Sequence, residues 1–267
     1  MHDIPKALEK LATFQRLRRV VMQSSNLTVA VSGGVDSLTL ATIAGRLNGQ
    51  ITVAHALSPA VPSEATQRVR DMARTENWTL KTLDAREFDD PNYIKNPHNR
   101  CYFCKSNLYA RIRQECHGDL AAGTNLDDLG EYRPGLIAAK ENNVLHPFVE
   151  AKIDKSELRN FARLLGLPDI ATLPAQPCLA SRVETGIAIS AGDLALIHKI
   201  ETAAATMMDA DDIRCRLTPN GLRLDTSSKP SEAALQAVKT LCEMAGKPFV
   251  GHAAYSRGSA FIMPISS

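Results

Sequence analysis

From Asn26 to Gly166 short, apolar, β-branched runs alternate with stretches of helical periodicity, and few folds accommodate that alternation. "NLTVAVS", "QITVAHAL", "TLKTLDA", "DLAAGT" and "VLHPFVE" read as strands. "DSLTLATIAGRL", "SEATQRVRDMARTENW", "KSNLYARIRQECH" and "DKSELRNFARLLG" read as helices between them. Ser63 is the expected N-cap of the second, and Gly166 closes the last. "EYRPGLIAAKENN" holds a helical turn or two. Strands separated by helices pair in parallel, because the crossover returns each strand to the same end of the sheet. The expected fold class is therefore α/β, a doubly wound parallel sheet with helices on both faces.

After Gly166 the style changes. "LPDIATLPAQPCLASRVETG" is rich in proline and small residues and reads as a long ordered loop, a kind of segment that often carries function. A helix, "AGDLALIHKIETAAATMMDA", follows, then a hairpin, "IRCRLTPNGLRLDT", turning at Asn220-Gly221. A further helix, "SEAALQAVKTLCEMAG", and a short last strand complete the chain. This pattern predicts a larger domain over 1–185 and a smaller α+β domain over 186–267.

Between the first strand and first helix stands "SGGVDS", residues 32–37. Gly33 and Gly34 permit unusual backbone angles and let N–H groups approach an anion. The helix N-terminus adds a favourable dipole and unpaired donors, and Ser32 and Ser37 add hydroxyls. Asp36 is the odd member, because a carboxylate repels phosphate. It implies either a Mg²⁺ held between carboxylate and phosphates or a helix cap. No Gly-Lys-Ser/Thr follows, so this is not a Walker A loop, and no GxGxxG occurs.

The composition excludes several classes of function. Among 267 residues, 31 basic and 29 acidic side chains leave a net charge of +2, so a nucleic-acid partner is not expected. No apolar run is long enough for a membrane span. The N-terminal "MHDIPKALEKLATFQRLRRVV" is charged throughout and lacks a secretory apolar core, so a cytoplasmic location is expected. The six cysteines accordingly read as thiols, metal ligands or catalytic groups rather than disulfides. Cys101-x-x-Cys104 places two sulfurs on one face of a helix start, beside Arg100 and Lys105, which favour thiolate. Such a pair can be redox-active, half a zinc site or structural. Cys178 lies in the proline-rich loop, and the three together make a plausible three-thiolate site with one position open, as suits an iron–sulfur cluster. Cys116, Cys215 and Cys242 sit in helix or strand patterns and read as packing residues, as does Trp78. His55 and His98 read as satisfied or surface histidines, and Lys152 and Lys155 as an exposed helix start.

"SGGVDS" resembles the loop of the PP-loop ATP pyrophosphatases, the adenine nucleotide alpha hydrolase-like group. "NPHNRCYFCK", "GTNLDDLGEYRPGLIAAKENNVLHPFVEAKIDKSELRNFARLLGLP" and "PAQPCLASR" narrow the likeness to the LarE family. These are ATP-dependent sulfur transferases that make the nickel-pincer nucleotide cofactor of lactate racemase. The resemblance is close over roughly residues 25–185 and looser beyond, where "IRCRL" is similar to the family's paired-arginine strand. It implies an enzyme that adenylates a substrate carboxylate, by resemblance pyridinium biscarboxylate mononucleotide, releases pyrophosphate, and replaces AMP with sulfur. Ser32, Gly33, Gly34, Asp36 and Ser37 match the pyrophosphate loop, and Gly123, Thr124, Asn125 and Asp128 the second nucleotide-side segment. Cys178 matches the sulfur-bearing position, with Asp36 and Cys178 in the catalytic roles. With Cys101 and Cys104 present, the chain resembles the members that hold a 4Fe-4S cluster on three cysteines. Arg214 and Arg216 match arginines near the acceptor's phosphate, and Glu201 and Asp225 are weaker matches. The implied cofactors are ATP, Mg²⁺ and the 4Fe-4S cluster; the implied partners are a nucleotide-like carboxylate substrate and further copies in a homo-oligomer, a hexamer. The first domain would then bind ATP, and the second would bind the acceptor or serve oligomerisation. A tRNA thiolase, an amide synthetase and a non-catalytic nucleotide- or metal-binding protein are the alternatives.

Overall fold

A computed structural model describes residues 3–130, 133–256 and 258–260. The chain forms two units, one of Met1–Glu87 and Cys101–Gln176, the other of Phe88–Arg100 and Pro177–Ser267.

The first unit is built on β1 (Leu27–Ala30), β2 (Thr52–Leu57), β3 (Thr79–Asp84) and β4 (Asp119–Ala122). They form one all-parallel sheet in the order β3-β2-β1-β4. Val29, Val53, Leu120 and Ala121 are buried, as expected for strands covered on both faces. The helices are α1 (Ala12–Val21), α2 (Val35–Asn48), α3 (Ser63–Glu76), α4 (Arg100–Glu115), α5 (Pro134–Glu141) and α6 (Lys155–Leu164). The chain leaves β1 toward β2 on one side and later returns to β4 on the other. The strand order thus reverses between β1 and β4, and in such sheets the crevice at the carboxyl ends of that pair is the ligand site.

α2 is the central helix. Leu38, Leu40, Ala41, Ile43 and Ala44 are fully buried, and even Thr42 is buried, donating its hydroxyl to Leu38 O at 2.9 Å. Burying each large aliphatic side chain here stabilises the unit by about 1.5–3 kcal/mol. α6 is capped by Asp154, which accepts from Glu157 N at 2.8 Å, and Gly166 ends it with φ +82°. Its Phe161 meets Phe14 of α1 edge-on, with ring centroids 6.0 Å apart. α1 was not expected from the sequence, although its buried Phe14, Leu17 and Val21 keep the i, i+3, i+7 spacing of an amphipathic helix.

Two local expectations fail. "VLHPFVE" contributes only a bridge at Leu145, which donates to Leu120 O at 2.7 Å and accepts from Ala122 N at 3.0 Å. Pro147 then opens the helical turn Pro147–Glu150. Proline has no N–H for a ladder, and its fixed φ suits a first helical position. Ser63 is likewise not the N-cap of α3. Pro62 holds that position, and the Ser63 hydroxyl donates to the Glu64 carboxylate at 3.2 Å. The segment expected as a loop after Gly166 contains the helical turn Pro168–Ala171 and the 3-10 turn Leu179–Arg182.

The second unit is a smaller mixed sheet. β5 (Ile213–Thr218) and β6 (Gly221–Thr226) form the hairpin, and β7 (Phe249–Ala254) adds parallel to β6. Gly221, at φ +131°, follows the Asn220 turn, and a Cβ there would lie 2.4 Å from Pro248 O. α7 (Ala191–Ala205) and α8 (Glu232–Met244) start at Ser190 and Ser231, whose hydroxyls accept from Asp193 N and Ala234 N. α7 packs on β5 and α8 on β7. Alternation along β5 and β6 puts Ile213, Cys215, Leu217, Leu222 and Leu224 on one face, all buried, and Arg214, Arg216, Arg223 and Asp225 on the other. Among the described residues, no helix is long and apolar enough to cross a membrane.

Candidate functional site

The turn Ser32–Ser37 sits at the carboxyl end of β1 and runs directly into α2. Gly33 adopts φ +85°, and a Cβ added there would lie 2.6 Å from Ala65 O. Only glycine meets both demands. Gly33 O accepts from Arg68 Nη1 at 2.7 Å, which holds the turn against α3. Ser37 Oγ accepts from Ser32 N at 3.1 Å and lies 3.3 Å from Ser32 Oγ. The first N–H groups of α2 have no intrahelical acceptor, so the turn gathers backbone and hydroxyl donors at a positive helix end.

We expect Gly33→Ala to cost roughly 2–4 kcal/mol, from the left-handed φ and overpacking against Ala65. Thermal unfolding should fall by roughly 5–15 °C. An unchanged midpoint would show that the turn relaxes freely.

The second half of the site comes from the end of β4. A Cβ on Gly123 would lie 2.8 Å from Asp36 C and from Ser37 N, so the chain after β4 lies directly against the first turn of α2. Thr124 is half-buried and Asn125 fully buried. Asn125 N donates to Asp128 Oδ2 at 3.1 Å, Asn125 Oδ1 accepts from Asp127 N at 3.0 Å, and Asn125 Nδ2 donates to Asp36 Oδ1 at 3.3 Å. Asp128 also pairs with Arg133 at 2.9 Å. Residues 89 apart in the chain thus meet at one carboxylate.

Asp36 has a further partner that sequence reasoning missed. Lys155 Nζ lies 2.5 Å from Asp36 Oδ1 and 2.6 Å from Oδ2, each side chain 29% exposed. Lys155 is the first residue of α6. A cation at a helix N-terminus is disfavoured by the dipole, and that misplacement is the signal in the sequence that it serves something else.

His55, on β2, is structural. It is buried; Nδ1 donates to Val31 O at 2.8 Å and Nε2 accepts from the Thr66 hydroxyl at 2.9 Å. Burial pushes its pKa below the ordinary 6.5, outweighing the Val31 bond. The unfolded state therefore binds the extra proton, and stability is lost as pH falls below 6.5. Urea midpoints at about pH 7.5 and about pH 5.5 should differ more for wild type than for His55→Gln. Equal differences would remove His55 from the acid response.

The chain shares 34% identity over 229 residues with protein slr1717 of Synechocystis, covering 84% of this chain and 85% of the relative. It shares 29% over 198 residues with protein MJ0830 of Methanocaldococcus jannaschii, covering 73% and 75%. The pyridinium-3,5-bisthiocarboxylic acid mononucleotide synthase of Lactiplantibacillus plantarum is 25% identical over 181 residues, covering 66% and 65%. The chain belongs to the family of slr1717, a LarE-like family. No family model matches it.

In this LarE-like chain the cysteines divide by accessibility. Cys116, Cys215 and Cys242 are buried, and burial raises the pKa of each thiol, that of Cys215 well above the usual value. Cys101 and Cys104 are half-exposed and Cys178 is exposed. Cys101 and Cys104 lie in the first turns of α4, three residues apart, and belong to the first unit; Cys178 belongs to the second. Within neither unit do three described His, Cys, Asp or Glu residues gather as a metal site.

Cys178 immediately precedes the 3-10 turn Leu179–Arg182, and its carbonyl accepts from Ser181 N at 2.9 Å. Arg182 donates to Glu201 through two atoms, Nε to Oε1 at 2.9 Å and Nη2 to Oε2 at 3.0 Å. Arg214 pairs with Asp212 at 3.1 Å and lies over the Tyr255 ring, 5.6 Å from its centroid. Arg216 is buried beside Asp225, with Nε 3.3 Å from Oδ2.

Proposed function

We propose that this chain is an ATP-dependent sulfur transferase that activates a substrate carboxylate as its adenylate and replaces AMP with sulfur. The observation that carries this reading is the convergence on Asp36. The Ser32–Ser37 turn, the Gly123–Asp128 segment and Lys155 meet there at the carboxyl ends of β1 and β4. The relative named for a bisthiocarboxylic acid mononucleotide synthase supports the choice of acceptor, a carboxylated pyridine mononucleotide.

In this reading the phosphates of ATP lie on the turn, met by the first N–H groups of α2, Ser32 and Ser37. Asp36 would hold the Mg²⁺ that accompanies ATP, supplying charge neutralisation of the phosphates, and Lys155, freed from Asp36, turns to the pyrophosphate. Asn125 keeps the Asp36 carboxylate in place during the exchange. An acceptor carboxylate oxygen attacks the α-phosphorus, the bond to the bridging oxygen breaks, and pyrophosphate leaves with its charge stabilised by Lys155 and the backbone donors. A sulfide delivered at Cys178 then attacks the carbonyl carbon of the acyl-adenylate, the bond from that carbon to the AMP oxygen breaks and AMP departs, leaving a thiocarboxylate. Arg214 meets the acceptor's phosphate, for which a guanidinium fork suits better than an ammonium.

The proposal assigns Cys101, Cys104 and Cys178, the three accessible thiols, as the residues that would hold a 4Fe-4S cluster, which would supply an open iron position for sulfide. A homo-oligomer, a hexamer by resemblance, and a cytoplasmic location belong to the same proposal.

The direct test incubates the protein with ATP·Mg²⁺ and carboxylated pyridine mononucleotide. Pyrophosphate release that depends on the acceptor is expected. No release above the no-acceptor control would refute the proposal.

A further inference from the structure

Residues 177–184 carry the exposed Cys178 on a stretch with one 3-10 turn and a single bridge from Val183 to Leu217. Backbone N–H groups reach Cys178 O, Ala180 O and Glu184 O, while Pro177 O and Ser181 O take side-chain donors. The donors come from buried side chains. Arg182 Nη1 donates to Pro177 O at 2.7 Å and to Cys178 O at 3.3 Å. Arg216 Nη1 donates to Ser181 O at 3.0 Å. Asn96 Nδ2 donates to Glu184 O at 2.9 Å and approaches Val183 O at 3.4 Å. All of these residues lie within the second unit.

The guanidinium groups are themselves held. Glu201 grips Arg182 and also accepts from Cys215 N at 2.8 Å, tying the grip to β5. Asp225, 1% exposed, accepts from Arg216 Nε and from Arg223 Nε at 2.7 Å. The Arg216 side chain is 6% exposed, and its fork is directed at Ser181 O and Asp225. A group meant to seize a ligand's phosphate would have to leave the buried Ser181 carbonyl without its side-chain donor and give up its own bond to the buried Asp225 carboxylate.

We infer that Arg216 is a positioning residue for Cys178: it holds the backbone that presents the thiol and does not bind the acceptor's phosphate. The resemblance implied instead that Arg214 and Arg216 share the phosphate. The inference rests on the sulfur-transfer reading for its purpose, but the clamp itself does not depend on it.

Two measurements test it. In wild type, phenylglyoxal labelling mapped by mass spectrometry should leave Arg216 unmodified with or without inorganic phosphate. Labelling of Arg216 that phosphate prevents would overturn the inference, and this arm needs no variant to fold. In Arg216→Lys, which keeps the charge and loses the fork, iodoacetamide should alkylate Cys178 at least about threefold faster, with Cys101 and Cys104 unchanged. For turnover, kcat should fall while KM for the acceptor stays within about twofold. An unchanged Cys178 rate with acceptor KM raised about tenfold would make Arg216 a phosphate ligand. Absence of any pyrophosphate release would defeat the sulfur-transfer reading alone, because both labelling readouts remain decisive without turnover.

Discussion

Replacing Cys178 with alanine is expected to abolish thiocarboxylate formation, by at least about a thousandfold, while pyrophosphate release continues. In the proposed reaction the two half-reactions use different residues: activation would draw on the turn at β1, the segment after β4 and Lys155, all in the first unit, and sulfur delivery on Cys178 in the second. Cys178 is exposed, and among the described residues its backbone carbonyl is held by Ser181 N and Arg182, so removing the thiol should leave the fold unchanged. The check is a paired assay of pyrophosphate and thiocarboxylate on wild type and Cys178→Ala. Loss of both products together would place Cys178 in activation. Retention of both would remove it from the chemistry.

Asp36→Asn should have the opposite signature. Asparagine preserves shape and can still meet Asn125, but it carries no charge for Mg²⁺ or Lys155. Pyrophosphate release should fall by about 10²–10³-fold, the scale of losing one preorganised electrostatic group. Stability should change by no more than about 1 kcal/mol, since both members of the ion pair are nearly a third exposed. Steady-state pyrophosphate assays beside urea unfolding separate the effects. A large stability loss with intact activity would make the Asp36–Lys155 pair architectural.

Much of the fold was legible because β1, β2 and β4 carry short apolar runs, β3 sets Leu80 and Leu83 among polar residues, and helical stretches separate them. "VLHPFVE" defeated that rule, since apolar residues around Pro147 serve a single bridge and then a helical turn. At the site, Gly33 and Asp36 were readable because a glycine turn and a misplaced carboxylate are local signals. Lys155 was not, because its partner lies 119 residues away and only the folded chain brings them together. The same holds for Arg216, whose alternation with Arg214 showed a shared strand face but not that Ser181 O and Asp225 occupy its donors.

The most direct test of the central claim follows an oxygen atom. Carboxylate labelled with heavy oxygen is offered as acceptor with ATP, and the AMP is analysed by mass spectrometry. Attack of the carboxylate on the α-phosphorus leaves one labelled oxygen on AMP once sulfur displaces it, and that is the expected result. Unlabelled AMP, or ADP and phosphate in place of AMP and pyrophosphate, would contradict activation by adenylation.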